Sequence, residues 1–186
     1  MPARSYFRFA SVIVALLVTA LAGGGCLTPP TPDMFFDLFL EVQPDSGVKF
    51  TLPDTGQIKY RANDPFIKME DITDVKQGTV DVPVGGGLPL VTTPCVFFYF
   101  DSVAQRQLQF TTSSDNFGKK IFLCASDATH TNQVIGVRPI DQTVANGPLF
   151  VFIALPDVHG NQKKFDDYVA QMKEAVDRVQ KIKLRK

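Results

Sequence analysis

Cys95-Val96-Phe97-Phe98-Tyr99-Phe100-Asp101-Ser102 is the stretch on which the fold turns. Its apolar residues run without a break, so in an extended chain Val96, Phe98 and Phe100 share one face and Cys95, Phe97 and Tyr99 share the other. A strand apolar on both faces is a central or covered strand. Asp101 and Ser102 follow with side-chain oxygens suited to capping a helix. That helix is predicted to run to about Ser114, with Val103, Leu108 and Phe110 turned inward.

Further along the chain, Lys119–Ala125, Gln133–Ile140 and Leu149–Leu155 have the β-branched and aromatic content of strands. A last helix, about Lys164–Ile182, carries Phe165, Tyr168, Val169, Met172, Val176, Val179 and Ile182 on one stripe. Toward the N-terminus, Met34–Val42, Val48–Leu52 and Gln57–Arg61 read as strands joined by the turns Pro44-Asp45-Ser46-Gly47 and Pro53-Asp54-Thr55-Gly56. Asn63-Asp64-Pro65 breaks the sheet, and Met69, Ile72 and Val75 at i, i+3 and i+6 predict a short helix over Lys68–Lys76. Gly85-Gly86-Gly87 and Pro89 mark Thr79–Thr93 as a long loop without regular structure, open to a partner. The glycine run lacks the Gly-Lys-Ser/Thr ending and the strand-to-helix setting of a phosphate-binding loop. Strands followed by single helices define an α+β domain, with helices on one face of a mostly antiparallel sheet. Phe98, Phe100, Phe122, Phe152, Phe165 and Met172 are the residues expected between the sheet and the helices.

The N-terminus addresses the protein. Arg4 and Arg8 precede an apolar run from Phe9 to Leu21, and Ala22-Gly23-Gly24-Gly25-Cys26 follows. Residues 1–25 therefore read as a secretory signal peptide, too short to span a bilayer, which takes about 20 apolar residues. Cys26 after small residues points to lipidation, palmitate included, and hence to a bacterial envelope lipoprotein facing the periplasm. Ala20-Leu21-Ala22 offers a rival cleavage that would release a soluble periplasmic or secreted chain from Gly23. Residues 26–33 contain Pro29, Pro30 and Pro32 and form a stiff tether, extended at about 3 Å per residue. The body then occupies 34–186 as one domain. With Cys26 lipidated, Cys95 and Cys124 remain as a possible disulfide worth roughly 3 kcal/mol, or as two buried thiols.

Chemistry is sparse. The full chain has Lys+Arg 19 and Asp+Glu 19, and removal of Arg4 and Arg8 leaves a slight acidic excess that argues against nucleic acid. The basic C-terminus complements the negative end of the last helix. His130 and His159 stand far from one another, as do Cys95 and Cys124, without the close ligand pairs of structural zinc sites. Both cysteines lie in apolar strands, where burial raises the thiol pKa and suppresses nucleophilicity. Asp166 and Asp167, on the first turn of a helix, point about 100° apart and favour its positive end. The sequence therefore predicts no catalytic residue, no metal and no cofactor.

Several features together resemble the head subdomain of the first periplasmic domain of SecD, the bacterial export-accessory membrane protein. They are Asn63-Asp64-Pro65-Phe66-Ile67 leading to Glu70-Asp71-Ile72; the strand Val96–Phe100 running into a helix; Asn116-Phe117-Gly118-Lys119-Lys120 before Ile121-Phe122-Leu123; and Val134–Ile140 after Ser126-Asp127. The resemblance covers roughly 34–182. The helix between Asp101 and Gly118 is one or two residues longer than in that family, the Asp-Gly hairpin step is missing, and the transmembrane proton pathway has no counterpart. What the resemblance implies is the fold and a tendency to contact extended polypeptide, hence a non-enzymatic lipoprotein that binds protein or peptide and serves export. An immunity or inhibitor lipoprotein acting on an envelope toxin or hydrolase is the alternative. Recognition by strand addition to a sheet edge suits the first reading.

Overall fold

The computed structural model describes residues 33–83, 90–112, 114–127, 132–141, 147–156, 158 and 160–185. The described residues form one compact unit. It is α+β. Among the described residues there are eight strands: β1 Phe35–Leu40, β2 Val48–Thr51, β3 Ile58–Arg61, β4 Ile72–Pro83, β5 Leu90–Phe100, β6 Lys120–Ser126, β7 Gln133–Pro139 and β8 Leu149–Ile153. The described residues also form two helices, α1 Ser102–Thr111 and α2 Gln162–Lys183, and one-turn 3-10 segments at Pro44–Ser46, Met69–Asp71 and Ser114–Asn116. Six strands form a sheet in the order β1-β6-β7-β8-β5-β4, and β2-β3 form a separate ribbon. Every pairing is antiparallel.

Burial organises three layers. Ile121, Leu123 and Ala125 of β6, Val96 and Phe98 of β5 and Leu149, Val151 and Ile153 of β8 pack with Ala104 and Leu108 of α1 and Phe165, Val169, Met172 and Val176 of α2. Both helices thus cover one face, as the sequence predicts. The alternate residues of β6, Phe122 and Cys124, face the other way and pack with Phe39, Leu52 and Val134, against which Phe50 and Val137 rest. The ribbon β2-β3 supplies Phe50, whose ring meets Phe122 edge-on at 4.7 Å and 76°. Phe122 is therefore buried under the ribbon, not under the helices. Phe98, Phe165 and Met172 are buried on the helix side as predicted. Phe100 is half-buried against the helix-side core, whereas Phe152, alternating with Val151 and Ile153, is half-buried on the opposite face beside Phe150.

Three local expectations are corrected. Lys68–Lys76 is not a helix: a 3-10 turn at Met69–Asp71 leads straight into β4. The pairing register slips between Ile72 and Asp74, so Ile72 opposes Phe100 and Val75 opposes Phe98, both on the helix-covered face. A β-bulge thus imitates helical i, i+3 spacing, and the β-branched residues of the segment favour the strand. Thr79–Thr93 is not a free loop where described. Thr79–Pro83 and Leu90–Thr93 are strand residues paired with one another, and 84–89 lie outside the described residues. Helix α1 ends at Thr111, and only Ala104 and Leu108 turn inward, while Val103 is 69% and Phe110 85% exposed. Ala104 and Leu108 are one turn apart and share a face; Val103 and Phe110 do not lie on it.

Capping fixes both helices. The Asp101 carboxylate accepts hydrogen bonds from the Val103 and Ala104 amides at 3.0 and 2.9 Å, and Asn161 accepts from the Lys164 amide at 3.1 Å.

Candidate functional site

A six-stranded open sheet has two edges, and the sequence does not reveal which is free. The β1 edge is closed. Ile67 bridges Leu38, and the Leu38 amide donates to the Ile67 carbonyl while the Phe66 amide donates back to Leu38. The Ala62 amide bonds the Leu40 carbonyl, the Val42 amide bonds that of Tyr60, and the Met69 amide donates to the Asp37 carboxylate at 2.9 Å. Burial raises the pKa of Asp37 against that hydrogen bond. The chain from Tyr60 to Met69 thus seals β1.

The β4 edge is different. Gln180 of α2 reaches the Ile72 carbonyl at 2.7 Å, and the Val75 amide is held by Asp74's own carboxylate at 2.9 Å. Beyond these, among the described residues, no backbone hydrogen bond outside the β4–β5 ladder involves Lys76–Val82. In an antiparallel edge strand every second residue turns its N–H and C=O outward. The outer edge of β4 is therefore a row of backbone donors and acceptors without a strand partner among the described residues.

The surroundings of that edge have two characters. On the face away from the helices, Phe97 lies over Gly78: a Cβ on Gly78 would sit 2.5 Å from the Phe97 ring. Phe97 in turn contacts Phe150 at 6.0 Å between ring centroids, and Phe150 meets Phe152 at 5.5 Å. Arg138 stacks over Phe150 at 3.9 Å and Lys76 over Tyr99 at 4.7 Å. This half-buried aromatic row, unlike the β6 side under the ribbon, reaches the sheet edge. On the helix face, Gln77, Thr79, Pro94, Gln162 and Phe165 surround a small cleft of about 190 Å³. Farther out, the hairpin exposes Leu90 at 61%.

Charge frames the start of the edge. Lys173 of α2 bonds Asp74 at 2.8 Å, and Lys76 approaches it at 3.4 Å. Burial opposes ionisation of Asp74, but the Lys173 hydrogen bond, the Val75 amide and Lys76 together lower its pKa.

The thiols are not bridged. Cys95 on β5 and Cys124 on β6 are free and buried, and β7 and β8 lie between their strands. The predicted disulfide fails on topology: the strand after α1 does not return beside β5 but joins β1 and β7. Burial pushes the Cys95 thiol up to about 11, against nearby Arg138, and the Cys124 thiol up to about 12, against Arg61. Cys26, His130 and His159 lie outside the described residues. Among the described residues no cluster of His, Cys, Asp and Glu suits a metal, and no helix is long and apolar enough to cross a membrane. Asp166 and Asp167 point to different partners, Gln162 and Lys163. A second groove, of about 320 Å³, is lined by Asp33, Asp127, Glu174 and Arg178, with Arg178 bonded to Glu174 and to Asp33 at 3.5 Å.

The fold and the edge define a class, an antiparallel α+β domain with one sealed and one open sheet edge. No family model and no curated protein matches the chain. A solved structure described as the membrane component SecDF, which enhances protein export, is similar over 80% of this chain and 64% of its own length, with 13% identity and a TM-score of 0.49. The chain thus corresponds to less than two thirds of that structure.

The sequence reads Thr79–Thr93 as a loop, whereas its described residues are paired strands. The alternation Thr79-Val80-Asp81-Val82 was the available signal for a strand, and the Gly85–Gly87 run outweighed it.

Proposed function

We propose that this chain is a non-enzymatic, exported lipoprotein of the bacterial envelope, lipidated at Cys26, whose domain binds extended protein or peptide by adding it as a seventh strand beside β4. The unsatisfied outer edge of β4 carries this reading. A backbone edge is a template for another strand, and the opposite edge of the same sheet is closed by the chain itself. Indiscriminate pairing is restrained by the bulge at Ile72/Asp74 and by Lys76 and Asp81 on the edge strand. Service to protein export is the setting we propose, following the resemblance in sequence.

Site-specific photocrosslinking tests it. A crosslinker at the exposed Thr79 of the full-length protein in cells should capture an envelope polypeptide, with the crosslink mapping to an extended segment. The same crosslinker at the exposed Asp45, beside the ribbon, should not. Equal capture at both positions, or none at Thr79, would sink the proposal.

A further inference from the structure

Edge strands are usually blunted by side chains, yet β4 places a glycine at its middle. Gly78 opposes Cys95, and its missing side chain is what admits the Phe97 ring, which comes within 2.5 Å of where a Cβ would stand. Phe97 belongs to the neighbouring strand, in register with Lys76. Its ring therefore leans diagonally toward Gly78, with the Cδ2–Cε2 edge nearest that position. On the opposite face, the residues flanking Gly78 are the polar Gln77 and Thr79, beside Gln162, with Pro94 and Phe165 also lining the cleft.

We infer that Gly78 and Phe97 form a side-chain subsite: the strand taken up at β4 carries a large apolar or aromatic residue opposite Gly78, with polar residues immediately before and after it. This deepens the strand-addition reading and rests on it. Side chains of a paired strand alternate faces. The one opposite Gly78 meets the Phe97 ring, and its two neighbours meet Gln77, Thr79 and Gln162. Aromatic pairs favour edge-on and offset contacts over face-to-face stacking and gain energy beyond their area burial.

The occupant is a foreign polypeptide. The chain's own tether contains Pro29, Pro30 and Pro32, which lack the N–H that a ladder needs, and it leads into β1 at the far edge of the sheet. A second copy pairing β4 with β4 about Gly78 would set glycine against glycine and leave both Phe97 rings uncovered.

The test uses the full-length chain in detergent and a labelled nine-residue peptide, Ser-Thr-Lys-Thr-Phe-Thr-Glu-Thr-Ser, with binding read by fluorescence anisotropy. Against the same peptide with Ala at its centre, the Phe peptide should bind about tenfold more tightly. Phe97→Ala should bring that ratio close to one while leaving weak binding of both peptides. Phe97→Leu, which keeps the core filled, should give an intermediate ratio and guards against a misfolded Ala variant. Peptides N-methylated at odd or at even positions separate the two layers of the argument, because only one set of N–H groups can face β4. If both series bind alike, strand addition itself is wrong. If one series fails but Phe and Ala peptides bind equally, or the preference survives Phe97→Ala, the subsite alone is wrong. A β4-paired dimer that the peptide does not dissociate would also overturn it.

Discussion

Asp101 shows how much one residue at a junction decides. It ends β5, caps α1 through two amides and receives Lys183 of α2 at 3.4 Å. The Ala104 amide, then Lys183 and the Val103 amide, hold its carboxyl below the ordinary value against the opposing effect of burial. Asp101→Ala should lower stability by about 1 kcal/mol, in the usual range for a lost cap, measured by urea denaturation. A depressed folded pKa means the contribution is complete above the unfolded value, near pH 4, and disappears as pH falls through the lower folded value. The gap between wild type and Asp101→Ala should therefore close in acid; a gap constant with pH would exclude the charge as its source. Cys95 and Cys124 give a second outcome at this scale. Thiols pushed up to about 11 and about 12 should resist alkylating reagents at neutral pH in the native state and react on denaturation. A reductant should leave the melting temperature unchanged. The cap was legible in Asp101-Ser102 because its chemistry is local. The absence of a bridge was not, since it depends on the order of strands that are distant in sequence.

Elements with strong local patterning were legible to within a few residues. Both-face apolarity identified β5, and the seven-residue stripe identified α2. The errors have a common physical origin: patterns that serve more than one geometry. Ile72 and Val75 share a face through a bulge, and their spacing coincides with that of a helix. In α1 Val103 and Phe110 lie on one face and Ala104 and Leu108 on another, so spacing alone excludes Val103, Leu108 and Phe110 as a joint inward set, and which face turns inward depends on the sheet it packs against. Mutation checks that choice. Leu108→Ala should cost about 2–5 kcal/mol as a cavity in the core. Val103→Ser and Phe110→Ser, at exposed positions, should each change stability by less than about 0.5 kcal/mol. A large loss from Phe110→Ser would mean that α1 is rotated from the orientation described. The open β4 edge was also illegible, because an edge is defined by what does not pair with it, and that is a property of the whole sheet.

At the scale of the whole molecule, β8 is the link between two half-sheets. It pairs with β5 at Leu149–Val151 and with β7 only at Phe152 and Ile153. Gly136 opposes Ile153 at that seam, where a Cβ would come 2.7 Å from a Val151 methyl and 3.0 Å from the Phe152 carbonyl oxygen. Gly136→Ala should therefore destabilise the domain by about 1–3 kcal/mol through overpacking. In hydrogen exchange, that variant should lose protection first along β8. Anchoring is tested separately, by mass spectrometry of the mature N-terminus and by Cys26→Ala, which should release the protein from membranes. Unmodified Gly23 as the first residue, with a soluble product in both versions, would refute lipidation. The pairing of β1 with β6 has a consequence in time. If the chain is exported N-terminus first, as we propose, Phe35–Leu40 emerge early, yet their partners Ile121–Ser126 follow some 80 to 90 residues later, and closing so long a loop carries an entropic penalty. Through that interval Phe36, Leu38 and Phe39, all buried in the finished fold, have no strand to rest on. A chain that crosses a membrane N-terminus first thus exposes its stickiest segment at the start of the journey and sheathes it near the end. Its vulnerability to capture or aggregation is greatest in mid-passage, and slowing translocation should lower the yield of native protein more than slowing synthesis of the finished C-terminal helix.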